Sequence, residues 1–387
     1  MVDYTDLSAE LAQRRADHLY RQRQVLQSAQ DVEVTIDGQR LYNFCSNDYL
    51  GLANHPKLIA AFTGAANEYG VGSGAAHLIT GHSEHHHQLE EELAAFTGYP
   101  RALLFSTGYM ANLGVVSALL GQGDAVFEDR LNHASLLDAG LLSRARLQRY
   151  SHLDGPDLQR KISDSKARHK LICSDGVFSM DGDMADVTEL AKVAEQQQAW
   201  LMIDDAHGVG VIGKTGRGTL EEHRLGVKEV PILMGTFGKA FGSFGAFVAG
   251  EESLIETLIQ QARSYIYTTA LPPAIAAANR EALRLVQTEG WRREHLQDLI
   301  KQFRAGARQL GLSLMDSSSA IQPLLIGETE QAVKLSDKLR QAGLLISAIR
   351  PPTVAEGTAR LRITLSANHT PAHIEHLLHC LDKAINA

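Results

Sequence analysis

The chain has 387 residues, 44% of them hydrophobic and 21% charged, with a formal net charge of −8. This length supports a large core divided between a major and a minor domain, and the acidic balance, with no Lys/Arg-rich run, excludes a surface built to follow nucleic-acid phosphates. No stretch is long and apolar enough to predict a membrane-spanning helix, and the acidic, amphipathic start MVDYTDLSAELAQRRADHLY predicts no secretory signal.

The first thirty residues read as helical. VEVTI-DG-QRLYNF follows as a hairpin, because Asp-Gly supplies the positive φ of a tight turn. Together they predict an N-terminal arm over residues 1–45. From about residue 55, helical patterns alternate with the short apolar or β-branched runs RALLF, DAVFE, LQRY, KLICSD, WLMIDD, VPILMG and GAFVAG. That alternation predicts an α/β domain over 46–275, with a mostly parallel central sheet and helices on both faces. After the Leu-Pro-Pro at 271–273 a long helical stretch begins. IQPLLIG, LLISAIR and ARLRITL then alternate with helical patterns at 329–342 and 371–386, which predicts a small α+β domain over 276–387. Cys45, Cys173 and Cys380 are odd in number and form no CxxC pair, which suits packed thiols in a cytoplasm better than a disulfide framework.

Ligands of open α/β sheets bind beyond the carboxyl ends of the strands, so the chemistry is sought there. RALLFSTGYMANLG runs from a strand into a helix, where Ser106–Tyr109 would offer backbone N–H groups to an anion; Thr-Gly at that place also serves merely as a helix cap. WLMIDDAHGVGVIGKT supports three readings. It matches GxGxxG at Gly208, Gly210 and Gly213, and the P-loop pattern from Gly208 to Thr215. Both need a helix to start at the glycines, and TGRGT is a poor helix start. The third reading takes Asp204 at a strand end and His207 three residues on: a carboxylate for a cationic ring nitrogen and an imidazole for a phenolic oxygen. Lys239, in GTFGKAFGSFG, lies just beyond the run VPILM. An apolar, crowded setting there favours a neutral amine able to form a Schiff base, and glycines admit a planar ring close to the backbone. In GHSEHHHQLEEEL, His82 and His86 share a helix face, but Leu89, Leu93 and Phe96 define a buried stripe and Ser83 caps it, so no metal site is assigned.

These residues resemble the fold-type I pyridoxal-phosphate enzymes. More narrowly, NFCSNDYLGLANHP, FSTGYMAN, DRLNHASLLDA, DGVFSMDGD, IDDAHGVGVIGKTGRG and GTFGKAFGSFG resemble the α-oxoamine synthase family, from the arm almost to the C-terminus. The resemblance implies a pyridoxal 5'-phosphate cofactor held by Lys239, which then acts as the base at the substrate Cα. It implies Asp204 at the pyridine nitrogen, His207 and Ser179 near the phenolic oxygen, and His133 stacked on the ring face, where it also meets substrate. Gly108, Tyr109 and Thr236 would take the phosphate, with Thr268 or Thr269 reaching the phosphate of a second subunit, so that a homodimer is implied. Arg362 matches the arginine that pairs with the amino-acid carboxylate. Asn47 would position the substrate, Arg21 and Thr353 match residues associated with the acyl group, and Arg350 is a further basic candidate. Arg21 also reads as part of a solvated helix face, and Arg360 should point to the other side of its strand.

RPPTVAEGTARLRITLSANHT, 350–370, is closest to the biotin-pathway member. That member joins L-alanine to a pimeloyl thioester, on CoA or an acyl carrier protein, with loss of CO2. The loop GVGSGAAHLITG departs from relatives at His77 and leaves acyl preference open. Alternatives are another member using glycine or serine, a catalytically silent subunit, which the joint presence of Lys239, Asp204 and His207 opposes, and a P-loop NTPase.

Overall fold

The computed structural model describes residues 5–17 and 19–386, so the first four residues of the expected arm lie outside the described residues. The chain forms two compact units: one from residues up to Asn47, Met180–Gly182 and from His295 on, the other from Asp48–Ser179 and Asp183–Glu294.

In the first unit the opening helix, Thr5–Ala16, is shorter than its sequence suggests. Backbone pairing replaces it: Leu26 bridges Ile36, and the Gln27 N–H donates to the Thr35 carbonyl at 2.8 Å. Strands β1 (Glu33–Ile36) and β2 (Gln39–Asn43) form the expected hairpin, with Asp37 and Gly38 at φ of 53° and 74° in its turn.

The second unit holds a seven-stranded sheet made of β3 (Arg101–Phe105), β4 (Ala125–Asp129), β5 (Arg146–Tyr150), β6 (Lys170–Asp175), β7 (Trp200–Asp204), β8 (Ile232–Thr236) and β9 (Ala246–Gly250). Its order is β3-β9-β8-β7-β6-β4-β5, and β9 alone runs antiparallel to its neighbours. Every residue of β4 and β9 is buried, as in a parallel-type sheet covered on both faces. Leu103, Val126, Cys173, Met202 and Met234 from five strands pack with Ala111, Val115 and Leu136 from two helices into one core. The helix Pro273–Thr288, which opens the stretch expected in the small domain, packs against the helices Pro56–Tyr69 and Glu84–Thr97 of this unit.

Back in the first unit, β10 (Ile321–Gly327), β11 (Leu344–Leu345), β12 (Ser347–Ile349) and β13 (Ala359–Thr364) complete two small sheets, β1-β2-β11 and β10-β13-β12. The run LLISAIR, read as one strand, thus divides between two sheets. Ile346, between the two pieces, leaves the ladder, and its carbonyl accepts from the Ser336 hydroxyl at 2.6 Å.

Candidate active site

The carboxyl ends of β3, β4, β6, β7 and β8 face one edge of the sheet, and the residues after them line a cavity of about 180 Å³. β3 delivers the helix Gly108–Leu119, capped by Thr107, whose side chain accepts from the Met110 N–H at 3.2 Å. Gly108 and Tyr109 therefore stand at a helix start, where unpaired N–H groups attract an anion. A Cβ added to Gly108 would lie 3.3 Å from Met234 Cε, so a side chain there would narrow the cavity.

β4 leads to His133, which caps the helix Ala134–Ser143, while its backbone N–H donates to Asp175 Oδ1 at 3.3 Å. Asp175 ends β6 directly beside Asp204 at the end of β7. Burial, then the charge of Asp204, push the Asp175 carboxyl well above the ordinary carboxylate range. Asp204 is 5% exposed, with Oδ2 accepting from Asn112 Nδ2 at 2.7 Å and Oδ1 from the Ala206 N–H at 3.1 Å. His207 sits in the following turn, its Nδ1 2.7 Å from the Tyr49 hydroxyl. β8 ends at Thr236, whose hydroxyl donates to the Gly245 carbonyl at 2.9 Å and accepts from the Gly238 N–H at 3.2 Å. Lys239 lines the same cavity, held in a turn that the Gly242 N–H closes on the Lys239 carbonyl at 2.8 Å.

An amine, a buried carboxylate, an imidazole and a helix start thus converge in one cavity. The family description of class I and II aminotransferases matches residues 39–381. The chain is 62% identical to an 8-amino-7-oxononanoate synthase of Cellvibrio japonicus over 98% of its own length and 96% of that protein. An 8-amino-7-oxononanoate synthase of Nitrosococcus oceani is likewise 62% identical, covering 96% and 99%. The chain belongs to the 8-amino-7-oxononanoate synthases, within the class I and II aminotransferases.

Solved structures agree with this family. The S. paucimobilis serine palmitoyltransferase with bound PLP-myriocin superposes with a TM-score of 0.94 at 31% identity, covering 99% of this chain and 97% of that one. The 8-amino-7-oxononanoate synthase of Francisella tularensis gives 0.78 at 35% identity, covering 89% and 98%. The fold is that of the fold-type I pyridoxal-phosphate transferases. The donor set suits their cofactor: an amine for its aldehyde, a carboxylate for its ring nitrogen, an imidazole for its phenolic oxygen and a helix start for its phosphate.

Of the site residues read from the sequence, Gly108, Tyr109, His133, Asp204, His207, Thr236 and Lys239 line this cavity, while Ser179, Thr268 and Thr269 are outside its lining. In the other unit, Arg362 of this family member is 7% exposed and donates to Asn47 Oδ1 at 3.1 Å. Arg21 Nη2 donates to the Thr353 hydroxyl at 3.2 Å across 332 residues of sequence, and Arg350 Nη2 donates to the Tyr20 carbonyl at 2.9 Å. Arg21 and Arg350 line a separate pocket of about 800 Å³ together with Arg15 and Arg340. Arg360 is buried against Asp181 and the Thr358 carbonyl, a structural anchor.

The glycines of GVGVIGKTGRG have another explanation than phosphate binding. The helix after them, Thr219–His223, begins only beyond Gly218. Cβ atoms at Gly176, Gly208 and Gly218 would stand 2.5, 2.0 and 1.8 Å from the Asp205 carboxylate. Asp205 is fully buried, its Oδ2 accepting from the Thr219 N–H at 2.8 Å, and burial lifts its pKa to about 8. Small residues let the loop close over that carboxyl.

The histidines of GHSEHHHQLEEEL are engaged. His86 Nε2 pairs with the Leu271 carbonyl at 2.7 Å and its Nδ1 accepts from the Ser83 N–H at 3.0 Å. His77 stacks on Tyr265 at 5.0 Å and meets His82 at 3.0 Å, and burial lowers its pKa to about 3. Asn112, Ser135, Asp175 and Tyr49 line or support the site without having been singled out from the sequence. Their signal was positional: Asn112 lies one helical turn after Gly108, and Asp175 is at the end of the strand beside Asp204.

Proposed function

We infer that the protein condenses L-alanine with a pimeloyl thioester to 8-amino-7-oxononanoate, CO2 and the free thiol, the reaction of biotin biosynthesis. The observation that carries this is the meeting of Lys239, Asp204 and His207 in one cavity at the carboxyl edge of the sheet, in a chain 62% identical to enzymes of that name. Bound pyridoxal phosphate supplies an electron-accepting ring, which weakens the alanine Cα–H bond and later the bond to the departing carboxylate. Lys239 anchors the cofactor through Nζ and, once released by the substrate amine, takes the Cα proton at the same atom and later returns it. Asp204 holds a proton on the ring nitrogen. His207 donates to the phenolic oxygen, with the Tyr49 hydroxyl fixing its other nitrogen, and Ser179 adds a polar contact. His133 packs on the ring face and contacts substrate. Gly108, Tyr109 and Thr236 bind the phosphate. Arg362, steadied by Asn47, pairs with the alanine carboxylate as a two-pronged donor. Arg21, Arg350 and Thr353 serve the acyl substrate, whether carried by CoA or an acyl carrier protein.

The reading includes a homodimer. Val71, Ile79 and Tyr267 are 84, 75 and 71% exposed. They stand on segments tied together by the Ser73 hydroxyl donating to the Ala270 and Leu271 carbonyls at 2.8 and 2.7 Å. This apolar surface suits a second copy, and Thr268 and Thr269 beside it would reach that copy's cofactor phosphate. Free thiols at all three cysteines support a cytoplasmic setting.

The test is to supply the cofactor-loaded protein with pimeloyl-CoA, or the pimeloyl carrier protein, and L-alanine, glycine or L-serine, measuring thiol release and product mass. Alanine should give the highest kcat/KM and a product of the oxononanoate mass. Turnover with glycine or serine in place of alanine would overturn the substrate assignment in favour of another α-oxoamine synthase.

A further inference from the structure

Between His133 and Asp204 runs a buried chain of hydrogen bonds that the reaction scheme above does not use. Asn112 Nδ2 donates to Asp204 Oδ2 at 2.7 Å and to Ser135 Oγ at 2.8 Å, and Ser135 Oγ lies 2.7 Å from His133 Nδ1. Both intermediaries are fully buried, Asn112 and Ser135 each at 0% exposure.

The direction of each bond follows from chemistry. A carboxylate only accepts, so the group of Asn112 that faces Asp204 is the NH2, and both its hydrogens are then used. Asn112 Oδ1, pointing elsewhere, finds no hydrogen-bond partner, a cost that the orientation accepts in return for serving both acceptors. Ser135 Oγ receives one of those hydrogens and turns its own toward His133 Nδ1. The Ser135 backbone N–H, which can only donate, also points at Nδ1, at 3.3 Å. Two donors on one ring nitrogen leave it no proton of its own. His133 must therefore carry its hydrogen on Nε2.

We propose that Asn112 and Ser135 are positioning residues which hold His133 as the neutral Nε2–H tautomer and tether its ring to the carboxylate of Asp204. The stacking histidine and the acid at the ring nitrogen are thereby set as one rigid unit, and Nε2–H remains the ring's donor toward whatever the cavity holds. The charged groups facing His133 are Asp204 on β7, Asp138 on its own helix and Lys239 after β8, with Asp175 on β6 at its backbone N–H and Tyr109 edge-on to its ring at 6.4 Å. Desolvation and Lys239 lower the pKa of His133 while Asp204 and Asp138 raise it, and the lowering prevails, in keeping with a neutral ring.

The consequence for the reaction rests on the function inferred above, but the tautomer does not. It is read first on the cofactor-free protein labelled with 15N-histidine, by two-bond proton–nitrogen correlation, with His133→Asn identifying the resonance. The wild type should show a bare Nδ1 and a protonated Nε2. In Ser135→Ala, the protonation midpoint of His133 should rise by about one pH unit, the equivalent of one lost hydrogen bond. Asn112→Ala should shift it the same way, and Ser135→Thr, which keeps the hydroxyl, should restore the wild-type pattern. In the loaded enzyme the two alanine variants should lose about tenfold in kcat with little change in the KM for alanine, again with rescue by threonine. An Nδ1–H resonance in the wild type, or a Ser135→Ala spectrum and midpoint identical to the wild type, would overturn the relay. Should Ser135→Ala fail to fold, Asn112→Ala and the wild-type spectrum each decide the matter alone. A correct tautomer in a protein that does not turn over alanine would instead sink the function reading and leave the relay standing.

Discussion

Glu128 offers the sharpest test of the energetics under the active site. It is 1% exposed on β4, both carboxylate oxygens lack a hydrogen-bond partner, and a Cβ on Gly140 would lie 2.9 Å from Oε1. Burial lifts its pKa from 4.5 to about 7, with Arg149 opposing. An acid whose folded pKa lies above its unfolded one makes a contribution to stability that is complete below the unfolded value and disappears as pH rises through the folded one. The gap of about 2.5 pH units at about 1.36 kcal/mol each corresponds to about 3 kcal/mol, lost between roughly pH 4.5 and pH 7. Glu128→Met, close in volume, abolishes that loss and also removes two unpaired polar atoms, worth about 1–3 kcal/mol at every pH. Urea unfolding at one protein concentration, from pH 4 to pH 9, should show the variant more stable throughout, with an advantage about 3 kcal/mol larger at pH 8 than at pH 4. An advantage that does not change with pH would refute the reasoning, because Glu128 would then bind its proton no more tightly in the folded chain than in the unfolded one.

Three further outcomes are expected. Lys239→Ala should lose covalent retention of pyridoxal phosphate in a denaturing mass spectrum and about 10²–10⁴-fold in turnover, with an unchanged melting profile before cofactor addition. Gly218→Ala, at φ of +89° with its Cβ 1.8 Å from Asp205 Oδ2, should cost at least about 1–3 kcal/mol by thermal or urea unfolding; an unperturbed variant would mean the loop does not pack on that carboxyl. His152 bridges Asp129 at 2.9 Å and Asp183 at 2.8 Å, with burial opposing but the two acids carrying its pKa up to about 10. Its contribution is complete below pH 6.5 and disappears as pH rises through about 10. His152→Asn should therefore be destabilised by about 3–5 kcal/mol at neutral pH, and unfolding curves should converge with the wild type as pH approaches 10.

Much of the large unit was legible because its signals are local. Six of the seven strand runs show uninterrupted apolar stretches, the exception being β5 with its RLQRY, and the punctuation that follows several of them, Thr-Gly, Asn-His, Asp-Asp-Ala-His and Gly-Lys, sits where the sheet's carboxyl edge gathers side chains. Lys239, Asp204, His207 and His133 could thus be named before any contact was known, as motifs of a family with an ordered set of them. A phosphate role for Gly208 to Thr215 was likewise disfavoured, though kept as an alternative, since helix propensity is also local.

What the sequence could not decide depended on atoms distant along the chain. The extent of the first helix turned on a bridge between Leu26 and Ile36, and LLISAIR divided because β2 and β13 each offered it an edge. The reason for Gly176, Gly208 and Gly218 is one buried carboxyl, Asp205, which no spacing rule connects to all three. Asn112 and Ser135 read as ordinary helix residues until the fold set them between Asp204 and His133. Periodicity and propensity act over a few residues and so are written in the sequence. Hydrogen-bond partnership and burial are properties of the closed structure, and they determine which nitrogen of His133 bears the proton.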